Sequence, residues 1–203
     1  MNNNPLFFSI LFLVLGSGIL YSQKTSGTLV FKDGSIKKGF VQLASSERVK
    51  FKVNKKDKAI KYEFTDLEYA EISINDEVSR YKLVSILDKD LPIVLKEIVS
   101  GKVSLFNLNT QGYSPGVPMG GGMAGAPMYP MGTNYSIKNL YVLKQGEAKA
   151  THLGSNQLFS KNFKQAASDY FKDCENLVAK IQNRDFKKKE IKAIVEYYNS
   201  QCE

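Results

Sequence analysis

The spacing of apolar residues changes once along this chain, from a period of two before about residue 147 to a period of three and four after about residue 160. That switch defines an α+β protein, because the two periods belong to strands and helices respectively. Val49, Phe51 and Val53 alternate with Arg48, Lys50 and Lys52, and Ile60, Tyr62 and Phe64 alternate with Lys61 and Glu63. Each such run turns one face to a core and the other to water. Thr28 to Lys32 and Ile36 to Leu43 flank Asp33-Gly34, a tight-hairpin signal, and Asn54 to Asp57 and Asn75-Asp76 read as further turns. Tyr81 and Leu83, then Val103 to Leu108 and Leu140 to Leu143, continue the strand pattern. Pro92 to Val99 stays open between helix and strand, since Val94, Leu95, Ile98 and Val99 have helical spacing in a β-branched composition. Short strands with close turns predict an antiparallel meander, either a small curled barrel or a sandwich.

Beyond residue 160, Phe163, Ala167, Tyr170, Cys174, Leu177, Val178 and Ile181 form one apolar stripe, and Ile191, Ile194, Val195, Tyr198 and Cys202 a second. Two amphipathic stretches are expected, broken near Asn183 to Asp185 with Asp185 as N-cap. The expected organisation is a leader at 1–22, an antiparallel β-domain at 23–150 and a helical segment at 151–203.

Pro5 to Leu20 is almost unbroken in apolar character, and the first charge after it is Lys24. The run is shorter than the roughly 20 residues a spanning helix needs and contains Gly16, Ser17 and Gly18, so it reads as a cleaved signal peptide, with cleavage after Ser22. Its n-region carries no Lys or Arg, and no cysteine stands near the cleavage point for lipid attachment. Export to the periplasm, the cell surface or the medium follows, as a soluble or peripherally membrane-attached protein. Cys174 and Cys202 would then meet an oxidising compartment, and both fall on the apolar stripes. A single disulfide joining the two helical stretches is expected, contributing roughly 3 kcal/mol by restricting the unfolded chain.

The net charge of +8 is polarised, with Lys24 to Lys61 basic and Asp66 to Glu97 acidic. Export argues against nucleic acid as partner and towards an envelope protein or an acidic envelope polymer. Arg48, Lys50 and Lys52 are the candidate residues for such contact, although a half-buried strand needs a solvated face in any case. Gln111 to Thr133 is an uncharged insertion of Gly, Pro, Met, Ala and Tyr in a hairpin, with Tyr113, Tyr129 and Tyr135 as candidate partner contacts. Met119, Met123, Met128 and Met131 within it form a soft donor set suited to Cu(I), the alternative reading to a low-complexity loop.

Ile98 to Phe106, Tyr141 to Lys144, and the tail Tyr170-x3-Cys174, Phe186, Ile194-Val195 and Tyr198-Asn199-x2-Cys202 together resemble a group of exported proteins common in Bacteroidota. Some of that group carry a similar segment ahead of an outer-membrane β-barrel. The resemblance covers about Pro92 to Cys202 and implies an envelope location and a non-enzymatic accessory module. The opening Gly-Thr-Leu, Asp-Gly-Ser and Gly-Phe-Val also resembles small Sm-like or SH3-like barrels, which implies nothing about activity.

Enzymatic chemistry is not expected. His152 is the one histidine and no Gly-x-Ser-x-Gly stands near it, while Gly120-Gly121-Gly122 lacks the Lys-Ser/Thr and the helix of a phosphate loop. No resident cofactor is implied, and Lys187 to Lys189 reads as an exposed helical turn.

Overall fold

The computed structural model describes residues 25–114, 133–155 and 163–202. The leader at 1–22 and Met119, Met123, Met128, Met131 and Tyr129 lie outside the described residues. Among the described residues ten strands are formed: β1 Thr25–Phe31, β2 Ile36–Leu43, β3 Arg48–Lys52, β4 Ile60–Glu63, β5 Leu67–Ile74, β6 Glu77–Val84, β7 Ile93–Val99, β8 Val103–Ser114, β9 Thr133–Lys144 and β10 Thr151–Ser155. Three α-helices follow: α1 Phe163–Tyr170, α2 Glu175–Gln182 and α3 Ile191–Gln201.

The strands make one antiparallel sheet in the order β10-β9-β8-β7-β6-β5-β1-β2-β3-β4. It is a meander with one departure, where β1 pairs with β5 as well as with β2. The turn signals work as their chemistry requires. Gly34 takes φ +83° in the β1–β2 turn, and Asn75 and Asp76 take φ +50° and +68° in the two-residue β5–β6 hairpin. Two successive positive φ values give the turn whose twist matches the flanking strands.

β2 changes partners halfway along. Its first residues pair with β1 up to Gly39 and its last with β3 from Phe40 on, so the N-terminal strands curl over one face of the sheet. Gly27 and Gly39 face each other where β2 changes partner. A Cβ on Gly27 would lie 2.2 Å from the Glu71 carbonyl oxygen and 2.8 Å from the Val41 Cβ, so only glycine permits that approach. Inside the curl lie Leu29, Val41, Val49, Phe51, Phe64, Leu67, Ala70 and Ile72. Val53, expected to share the face of Val49 and Phe51, falls just past the end of β3 and is exposed.

The other half of the same face carries the helices. Val103, Leu105, Val142 and Leu153 from the sheet pack with Phe171, Leu177, Ile181, Ile191, Ile194 and Val195. Fully burying a side chain of this size contributes about 1.5–3 kcal/mol, so this cluster holds the helical layer to the sheet. Register shifts fit the strands to it: one between Glu97 and Val99 lets both Ile98 and Val99 pack against the cluster. On the opposite face, Val84, Ile86, Leu95, Phe106, Tyr141 and Ala150 form a third cluster. The segment after β6 crosses there, and Leu87 and Ala150 bond through the backbone at 2.8 Å.

Several sequence boundaries shift. Pro92 to Val99 resolves as strand β7. The β8–β9 ladder runs out to Ser114 opposite Thr133, so both ends of the 111–133 insertion are strand. β10 belongs to the sheet although it lies beyond residue 150. The stripe from Phe163 to Ile181 is two helices rather than one: the backbone leaves helical geometry at Cys174, with φ −124° and ψ 86°. Tertiary contacts outweigh local periodicity at that point, because Asp173 turns to Lys144 and Tyr198 and Cys174 bonds to Cys202. Asp185 caps no helix. Glu190 and Lys187 begin the last helical segment, where the Lys187 N–H donates to the Glu190 carboxylate at 2.8 Å.

Candidate functional site

The Cys174–Cys202 disulfide is present, with the Cα atoms 5.7 Å apart, and it joins the start of α2 to the end of α3. Both cysteines are buried in the helix–sheet cluster. Around it the sequence segments from Ile98 to Phe106, Tyr141 to Lys144 and Tyr170 to Cys202 converge. The Lys102 ammonium donates to the Cys202 carbonyl at 2.7 Å, and the Asn199 side chain packs against Gly101, where a Cβ would lie 2.5 Å from the Asn199 Nδ2.

A polar cluster sits beside this seam. The Lys144 ammonium donates to Asp173 at 2.7 Å and to the Tyr170 carbonyl at 3.0 Å, the Tyr170 hydroxyl donates to Glu147 at 2.9 Å, and the Tyr198 hydroxyl donates to Asp173. Burial, the Asp173 hydrogen bond and the Asp173 charge push the Tyr198 hydroxyl up to about 12. Burial, reinforced by the Glu147 hydrogen bond, raises Tyr170 further still. Burial opposes ionisation of Asp173, but the bonds from Lys144 and Tyr198 outweigh it and hold the carboxyl below its usual range. These shifts stabilise the resting protonation states, a neutral tyrosine pair and an ionised aspartate, so the cluster acts as a clamp between helix and sheet.

A second charged group lies on the sheet. Arg80 bonds Glu71 at 2.8 Å and Glu97 at 3.4 Å, Lys82 bonds Glu97 at 3.1 Å, and the Arg80 guanidinium lies 4.4 Å from the centre of the Tyr69 ring. Two cations face two carboxylates, and the Glu97 side chain is only 4% exposed. Register explains the group, since Glu71, Arg80 and Glu97 are direct cross-strand partners.

The basic residues of β3 separate into two roles. Arg48 pairs across the sheet with Glu63 at 3.7 Å. Lys50 and Lys52, joined by Lys55, flank an open groove of about 590 Å³ walled by Phe40, Leu43, Ile74 and Tyr81. Lys55 lies 5.8 Å from the centre of the Phe40 ring, and Lys52 donates to the Lys55 carbonyl at 3.3 Å. The curl of β2 over β5 creates this groove by bringing Leu43 and Ile74, distant in sequence, to one rim. Alternation alone marked Lys50 and Lys52 as solvated; the apolar wall beside them is a product of the curl.

Tyr135 is 44% exposed on the outer end of the β8–β9 hairpin, with its ring lying over Gly112. Tyr113 pairs through its backbone with Asn134 in the same hairpin. His152 lies opposite Tyr141, the ring centres 5.1 Å apart. Among the described residues no group of three or more His, Cys, Asp or Glu could hold a metal ion, and no helix is long and apolar enough to cross a membrane. No protein-family model matches the chain, and neither curated proteins nor solved structures give a match.

Proposed function

We propose that this protein is an exported, non-enzymatic binding module of the cell envelope that holds an acidic partner, a protein segment or a polymer, on the curled N-terminal part of its sheet. The observation that carries this reading is the groove where Lys50, Lys52 and Lys55 stand beside Phe40, Leu43, Ile74 and Tyr81. Ammonium groups over an apolar wall attract anions and retain them better than an evenly solvated basic strand, because the wall lowers the local dielectric. The buried disulfide is compatible with work outside the cytoplasm. The charged groups on the sheet and at the helix seam are compensated by one another, which supports a structural use for both.

The test is cross-linking of the tagged protein in its host, comparing wild type with a variant in which Lys50, Lys52 and Lys55 are all glutamate. A specific envelope partner recovered with wild type and lost with the variant supports the reading. Equal recovery with both, or a wild-type protein that stays uncross-linked, overturns it.

A further inference from the structure

Over the helix-bearing half of the sheet lies a second groove, of about 600 Å³, roofed by the beginning of α3. Its walls are apolar: Ile98, Leu105 and Leu140 from the sheet and Ile191 from α3. Around them stand Lys138, Lys187, Lys189 and Lys192. Glu190 accepts from the Lys187 backbone, and Glu196 pairs with Lys192 itself at 3.6 Å, an exposed pair that contributes little. Asn107 also lines the groove, beside Leu105 on β8 and opposite Leu140 on β9. Its Oδ1 is buried and has no hydrogen-bond partner among the described residues. A buried acceptor without a donor is unfavourable, and a bound donor would satisfy it.

From these three features we infer that the groove is a binding site for a single-chain lysophospholipid with an anionic, hydroxyl-bearing head, separate from the acidic-partner site on the N-terminal strands. The volume falls within the roughly 300–1,000 Å³ of small-molecule sites. The apolar walls take the hydrocarbon chain, which a polysaccharide or an acidic peptide lacks. The lysines take the anionic head, and Asn107 Oδ1 takes a hydroxyl such as that of a glycerol headgroup. Lys187 and Lys189, read from sequence as an ordinary exposed turn, acquire this role because the 3₁₀ turn Lys188–Glu190 brings their neighbours against the sheet.

The test is titration of the purified disulfide-bonded protein with a fluorescent dansyl-labelled fatty acid, followed by displacement with oleate, with oleoyl-lysophosphatidylglycerol and with the neutral monoolein. Replacing Lys187, Lys189 and Lys192 together by alanine should weaken probe binding by about tenfold or more, since exposed charge contacts to the head are lost. The corresponding Lys50, Lys52 and Lys55 variant should bind the probe as wild type does, and both variants should melt as wild type does. Displacement by both anions at similar concentrations shows that any anionic head suffices and overturns the lysophospholipid assignment. Preference for the lysophospholipid, abolished in Asn107→Leu, points to the glycerol headgroup. Absence of probe binding, equal loss in both lysine variants, or displacement by monoolein as effective as by oleate overturns the inference.

Discussion

The Asn199 carboxamide on α3 accepts from the Val103 N–H at 2.7 Å and donates to the Val103 carbonyl at 2.9 Å, so one side chain supplies both backbone bonds at the first residue of β8. Val103 is fully buried, and without Asn199 these two polar groups would be left unpaired beneath the helix. An unpaired buried group costs about 1–3 kcal/mol. Replacement of Asn199 by leucine is therefore expected to lower stability by about 2–4 kcal/mol in urea unfolding, and a loss below about 0.5 kcal/mol would show that water substitutes freely.

The disulfide should leave no free thiol. Labelling of the native protein is expected to find neither Cys174 nor Cys202 reactive, and replacing both with alanine should cost about 3 kcal/mol or more, the restricted unfolded chain and the lost buried contacts acting together. Two reactive thiols in native protein would refute the bridge.

Arg184 takes φ +67° just after α2, where the Arg184 N–H bonds the Ile181 carbonyl at 3.2 Å and the Asp185 N–H bonds the Lys180 carbonyl at 2.9 Å. This is a left-handed helix terminator that favours glycine. Arg184→Gly should raise stability by about 0.5–1 kcal/mol, as relief of the left-handed strain exceeds the added freedom of the unfolded chain. A lower melting temperature would mean that the arginine side chain makes a compensating contact.

Alkaline pH should loosen the helix–sheet seam. The Tyr198 hydroxyl ionises at about 12 in the folded protein against 10.0 ordinarily. Its contribution is therefore fully present below pH 10 and is lost as pH rises towards 12. Tyr198→Phe should flatten the alkaline limb of a stability curve followed by circular dichroism, and tyrosinate absorbance should show a late-titrating fraction. An unchanged limb would remove Tyr198 from the clamp.

Acid acts on the same clamp through Asp173, whose carboxyl is held below its ordinary value of 3.8 by the Lys144 and Tyr198 hydrogen bonds. A lowered folded value means that the contribution is present above about pH 4 and disappears as pH falls through the folded value. Asp173→Asn should remove that portion of the acid sensitivity in the same stability curve, and an acid limb identical to wild type would count against it.

Most of the strands and their turns were legible in the linear order of residues, because each depends on local chemistry, and the disulfide was legible because the chain has two cysteines and both fall on apolar stripes. Alternation at Val49 and Phe51 marks a buried face, Asn75-Asp76 tolerates the positive φ of a two-residue hairpin, and Cys174 and Cys202 fall on apolar stripes that have to be buried. Tertiary structure decided everything that depends on which distant segments meet. Periodicity states which face of a strand is buried but not which strand lies beside it, so the β1–β5 pairing, the curl of β2 and the joining of both halves into one sheet could not be read from spacing. The same reason governs the sites: Asn199 becomes a partner for Val103, the helix breaks at Cys174, and Lys187 gains an apolar wall only once α3 lies on β8. A polar side chain takes its role from what long-range burial brings within about 3 Å of it, and that distance is set by the packed fold.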